Sequence, residues 1–91
     1  MKAVITVIGR DQIGIVAKVT TRCAEEKMNI LQIQQQILDG IFTMILITDL
    51  AEVDRDFSEV ADDFAAYGRK ENLDICMRHE DAFRVMNEVE R

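Results

Sequence analysis

The 91-residue chain has no proline and no tryptophan, one histidine, two cysteines and four glycines. Its aromatics are four phenylalanines and one tyrosine. Each shortage excludes something. Without proline or a low-complexity run there is no sign of a stiff linker, so the chain reads as one small domain. Cys23 and Cys76 form neither a Cys-x-x-Cys pair nor a zinc spacing. They read as small buried hydrophobes of a reducing compartment. No stretch approaches the roughly 20 apolar residues that span a bilayer. The first apolar stretch, residues 3–8, is too short for a signal peptide and lacks a cleavage site. A cytoplasmic protein is expected, with no membrane partner. The eleven basic residues are scattered against seventeen acidic ones, for a net charge of −6. That field repels phosphate backbones, so no nucleic-acid partner is expected.

What is present is a clear alternation of periods. Residues 3–8 (Ala-Val-Ile-Thr-Val-Ile) are β-branched and precede Gly9, as a buried strand does. A polar loop follows. From Ile13 the period becomes helical: Ile13, Val16, Ala17, Thr20, Cys23, Ala24 and Met28 fall on one face, with Asp11 as the N-cap. Residues 29–38 alternate, with Leu31, Ile33 and Ile37 on one parity and Gln32, Gln34 and Gln36 on the other. Asp39-Gly40 marks a hairpin. Residues 41–50 are apolar on both parities, as in a central strand covered on both faces. A second helix over 55–68 carries Val53, Phe57, Val60, Ala61, Phe64 and Tyr67 on one stripe. Asp54 or Asp56 is its cap and Gly68 its C′ residue. Residues 72–78 form a fourth strand. Residues 80–91 read as a terminal helix with Ala82, Val85, Met86 and Val89 on one side.

The order β-α-β-β-α-β specifies an α+β, ferredoxin-like sandwich. Two right-handed split β-α-β units give an antiparallel sheet of order 4-1-3-2 with both helices on one face. The domain is assigned to residues 1–79 and a helical extension to 80–91. Strand 1 is apolar on both parities: Ile5 and Val7, but also Val4 and Ile8. Something must cover the second sheet face. The terminal helix is one candidate. A second copy of the chain is the other, so a homodimer is expected.

Chemistry concentrates in one loop. His79, the single histidine, lies three residues from Cys76, but strand parity sends the two to opposite faces. It reads as a solvated strand-end residue, not as part of a nucleophile–base pair. The carboxylates sit on outer helix faces and converge on no metal. The loop Gly9-Arg10-Asp11-Gln12-Ile13-Gly14 differs. Gly9 ends a strand where the chain turns. Gly14 falls in a first helical turn, where glycine is costly. Exposed helix-start amides favour a carboxylate. Asp11 and Gln12 are placed to meet an ammonium or to cap the helix. The residues alone leave two readings open: a ligand site, or a turn with Gly14 present for packing.

The run Gly9 to Ala17, followed by Met28-Asn29-Ile30, resembles the ACT domain signature. In that family an aspartate-x-x-glycine loop opens helix 1 and an asparagine-isoleucine pair opens strand 2. The resemblance covers residues 1–79. It is nearest to free-standing ACT proteins and to the ACT modules of the glycine-cleavage repressor type and of formyltetrahydrofolate deformylase. It implies a regulatory protein, not an enzyme, that binds an amino acid or similar small metabolite between two domains and modulates a separate protein target, without a cofactor. Carried over by motif, the ligand-binding residues are Asp11, Gln12, Ile13 and Gly14, with Asn29 from the start of strand 2. The alternatives are a dimerisation or partner-docking module without ligand, and an acylphosphatase-like hydrolase using Arg10 with Asn29 or Gln36. The acylphosphatase loop pattern is missing. An RNA-recognition role fails on charge and on the lack of stacking aromatics in strands 1 and 3.

Overall fold

A computed structural model describes residues 1–88, and side chains up to residue 84. Its elements are β1 (Lys2–Arg10), α1 (Ile15–Glu25), β2 (Asn29–Leu38), β3 (Ile41–Asp49), α2 (Phe57–Lys70), β4 (Leu73–His79) and α3 (Glu80–Glu88). The sheet is antiparallel with order β2-β3-β1-β4, the expected 4-1-3-2 arrangement read from the other edge.

Pairing assigns each side chain a face. Ile5 lies between Leu46 and Met77, and Val7 between Met44 and Ile75. These residues share the helix-covered face and are almost fully buried, together with Ile15, Val19 and Cys23 of α1 and Val60 and Phe64 of α2. Burial of such side chains supplies about 1.5–3 kcal/mol each, so this layer is what holds the domain together. Among the described residues Thr48 is the one buried polar side chain, and its hydroxyl donates to the Ala3 carbonyl at 3.1 Å.

Three local expectations need correction. The buried stripe of α1 is Ile15, Val19 and Cys23, not the stripe that began at Ile13. The helix starts two residues later, and Ile13 stands 96% exposed in the loop. Asp11 does not cap α1. The N-cap is Gly14, in the left-handed region at φ 86°, where side chains rarely go. Gly68 does not end α2. It is buried inside the helix, where a Cβ would stand 2.6 Å from the Leu73 carbonyl oxygen, so it sets how closely α2 approaches β4. The residue that turns the chain there is Asn72, at φ 60°. Asp56 is the N-cap of α2 by position, but its carboxylate takes the Ser58 hydroxyl and bonds no backbone amide.

From Gln32 on, strand β2 keeps its expected parity without the burial that parity implied; before it the alternation breaks, and Ile30, not Leu31, faces Thr48 on the helix side. Ile33 and Ile37 pair with Leu46 and Phe42 and share the helix side. They remain 45% and 57% exposed, whereas Ile30, at the start of the same strand, packs against the core. Gln32, Gln34 and Gln36 fall on the opposite face beside Ile47, Ile45 and Thr43. A register shift between Ile30 and Gln32 marks a bulge near the start of the strand. On that opposite face Val4 is 2% exposed, at the end where α3 packs against β1 and β4. Toward the other end Ile8 and Ile41 stay open. The terminal helix therefore covers only part of the second face. Of its expected stripe, Ala82 is exposed, while Val85, Met86 and Val89 lie outside the described side chains.

Candidate functional site

The loop between β1 and α1 is tied at two points. The Asp11 amide donates to the Gly40 carbonyl at 2.9 Å, which fastens the loop to the β2–β3 hairpin. The Gln12 side-chain amide donates to the Glu71 carbonyl at 3.3 Å, which fastens it to the end of α2. Glu71 is itself held: its carboxylate accepts from Lys18 Nζ at 2.8 Å. The hydrogen bond to Lys18 keeps the Glu71 carboxyl below the usual carboxylate range, and the same bond raises Lys18. Both groups face solvent, so the pair orients the corner more than it stabilises it.

Beside these ties lies an open cleft of about 510 Å³ lined by Arg10, Asp11, Gln12 and Asn72, all exposed residues. Asp11 and Gln12, both expected site residues, are on its wall. Ile13 and Gly14 are not. Gly14 is glycine for its positive φ and not for close packing, since a Cβ there would meet only Lys18 Cε at 3.9 Å. Gly9 is the reverse case. It lies within β1, not at a turn, and a Cβ there would sit 2.6 Å from the Leu73 side chain. Arg10 and Asn72 are lining residues that sequence reasoning left off the ligand site. Arg10 reads from the sequence as a residue of the polar loop, named only for the hydrolase alternative. Asn72 had a weaker signal, an asparagine just past a helix end, where the left-handed conformation is tolerated.

Asn29 does not join them within one chain. It pairs with Asp49 at one end of β3, whereas Arg10 pairs with Ile41 at the other. Eight residues of strand separate the two ends, roughly 26 Å. A single copy cannot bring Asn29 to the loop.

Elsewhere, shallow grooves run along β2 and β3 on the open face, the larger of about 450 Å³ and lined by Gln32, Ile33, Gln34, Ile45 and Ile47. His79 is not simply solvated, because its ring stacks on Phe57 at 3.9 Å between centroids. That contact places it on the helix side, away from Cys76, whose partner Thr6 belongs to the open face. Among the described residues no three His, Cys, Asp or Glu side chains are grouped to hold a metal ion. No described helix is long and apolar enough to cross a membrane.

This arrangement has close relatives. The UPF0237 protein CPE1496 of Clostridium perfringens is 43% identical over 89 residues, covering 98% of this chain and 100% of the relative. The solved structure of an ACT domain protein from Streptococcus pneumoniae superposes with a TM-score of 0.81 at 38% identity, covering 91% of this chain and 93% of that one. A formyltetrahydrofolate deformylase from Pseudomonas syringae pv. tomato shares the fold alone, with a TM-score of 0.77 at 20% identity over 86% of this chain and 27% of that one. Residues 2–78 match the ACT domain family profile, nearly the whole of the β-α-β-β-α-β unit. With the glycine-capped loop of β1 and α1 and the sheet order in agreement, the chain belongs to the ACT domain family.

Proposed function

We propose that this protein is a regulatory sensor that binds an amino acid or similar small metabolite at a homodimer interface and passes the signal to a separate protein. The observation that carries this reading is the loop cavity. It is lined by polar and charged side chains on a frame tied to both the hairpin and the end of α2. A tied backbone frame of this kind reduces the ordering that a ligand must impose on the loop.

The homodimer is supported by the free edge of β2. Leu31, Ile33, Ile37 and Leu38 are 43–67% exposed there, and an open apolar edge invites strand pairing. An antiparallel two-fold pairing runs Asn29 of one copy toward Leu38 and Gly40 of the other. Gly40 is bonded to Asp11. The dimer would thus unite the expected site residues that one chain holds apart. No catalytic step belongs to this reading: the one histidine is engaged by Phe57 and is remote from Cys76. Two free thiols fit a cytoplasmic setting.

A thermal-shift screen of the twenty protein amino acids at millimolar concentration, run alongside sedimentation analysis, tests the reading. Binding at about 100 times the dissociation constant adds roughly 2.7 kcal/mol, enough to move the melting temperature by several degrees. A dimer that responds to none of them leaves the second reading, a docking module without ligand. The exposed apolar side chains of β2 favour that reading independently.

A further inference from the structure

The open face of the sheet carries no charge across its middle. β2 holds no Asp, Glu, Lys or Arg, in a chain that is 31% charged. On β1 and β3 charge enters only at the strand ends, at Lys2, Arg10 and Asp49. Asp74 and Arg78 belong to β4, at the far edge. The middle of the face is glutamine beside isoleucine: Gln32 pairs with Ile47 and Gln34 with Ile45. Toward the hairpin, Ile8, Leu38 and Ile41 are 44–67% exposed on the same side. A centre depleted of charge inside a charged rim is the composition of a protein interface. Helix α3 packs on β1 and β4, so one copy leaves this centre open.

The missing charge selects the occupant. Around a two-fold axis a side chain meets its own copy. A charged side chain there would face its like, whereas glutamine carries both a donor and an acceptor and bonds to another glutamine. A foreign basic partner would be met by carboxylates, which this chain of net charge −6 has in excess and places elsewhere.

Area sets the order of assembly. β1 and β3 each run nine residues. At roughly 3.4 Å per residue and 4.8 Å between strands, β1, β3 and β2 present about 400 Å² in one copy. Two such faces bury about 800 Å² in all, short of the roughly 1,200 Å² of a stable interface. Antiparallel pairing of two β2 edges turns both open faces to one side and joins them. Two joined faces bury about 1,600 Å², the standard size.

We propose that two edge-paired dimers stack open face to open face into a tetramer with three mutually perpendicular two-fold axes, the glutamine rows of β2 at its centre. This rests on the edge-paired dimer of the sensor reading and adds a second interface to it. Single faces are too small to hold, so stacking depends on the edge. The centre is as much amide as apolar, which puts the stack at the weak, micromolar end for its area.

Sedimentation equilibrium on the full chain, from about 1 to 300 µM, tests it. The wild type is expected as dimer near 1 µM and tetramer near 300 µM, around a dissociation constant of some tens of micromolar. Ile45→Lys and Thr43→Lys put like charges on facing copies without touching the β2 edge, and each should remain dimer throughout. Thr43→Lys is the milder change, and far-UV circular dichroism shows that each variant is folded. Ile37→Glu, on the edge but on the helix side, should be monomer at every concentration. A wild type that stays dimer at 300 µM overturns the stack and leaves the edge dimer standing. A tetramer that survives both lysine variants puts the second interface elsewhere and overturns the proposal. Dimers that persist in Ile37→Glu and vanish when Thr43→Lys is added would mean that single faces suffice, which overturns the order of assembly. A wild type that is monomer throughout overturns the edge dimer and the stack together, while ligand binding is read separately by the thermal-shift screen.

Discussion

The two faces of the sheet are built from interleaved residues of the same strands, yet they live in different environments. On β3, Met44 and Leu46 are fully buried, while Ile45 and Ile47 between and beside them are only partly covered. On β1, Ile5 and Val7 are fully buried, while Ile8 is 44% exposed. The side chains are of one kind, and the difference lies in what sits above them. Two helices span the first face. On the second, α3 reaches β1 and β4, and the glutamine row of β2 lies beside isoleucines at the other edge. An apolar strand thus reports that burial is available, not that one chain supplies all of it.

Breaking the covered face should have the largest effect. Leu46→Ala is expected to cost about 2–5 kcal/mol, whereas Ile45→Ala on the open face should cost well under half as much, read as paired urea-denaturation midpoints. Near-equal losses would mean that the open face is covered in solution, which sharpens the case for a second copy there. A charge on the β2 edge should act on assembly instead of folding. Ile37→Glu is expected to leave protomer stability within about 0.5 kcal/mol while sedimentation shows monomer. A dimer that survives it must form elsewhere than at β2. The smallest effect is chemical. Cys23 lies under the helices, and burial pushes its thiol up to about 11, whereas Cys76 sits half-buried on the open face. At pH 8 a thiol reagent should titrate one cysteine quickly in the native protein and two after unfolding, because the thiolate is the reactive form. Fast labelling of both would contradict the packing of α1.

Much of the fold was legible because period and order are local properties. The switch from strand to helical spacing after the loop, the Asp39-Gly40 hairpin and the six-element order lead to one sheet topology under the right-handed crossover rule. Phase was less legible than period. The α1 stripe was placed from Ile13 because an isoleucine beside a helix start looks like its first buried residue. Gly14 at φ 86° delays the helix and hands that role to Ile15. Glycines were the hardest to read. Gly9 and Gly68 are glycine for want of space against Leu73 and Ile75, and Gly14 for its backbone angle. One residue type answered two different demands, and neither is written in the flanking sequence.

The candidate site divides along the same line. Asp11 and Gln12 were found because a glycine-bounded polar loop before a helix is a contiguous pattern. Arg10 has its place on the wall through pairing with Ile41, and Asn72 through the end of α2, contacts that are remote in the chain. Asn29 was grouped with the loop by motif, and the antiparallel register sends it to the far end of the sheet.

The sequence by itself determined which segments are strands and helices, their order, and the loop where charge and glycine gather, since these follow from spacing and from the conformational limits of single residues. Only the tertiary structure decided which apolar face is buried, which glycines answer to space and which to angle, and which polar residues share a cavity. Those depend on register and on the reach of the covering helices, which arise when distant segments meet.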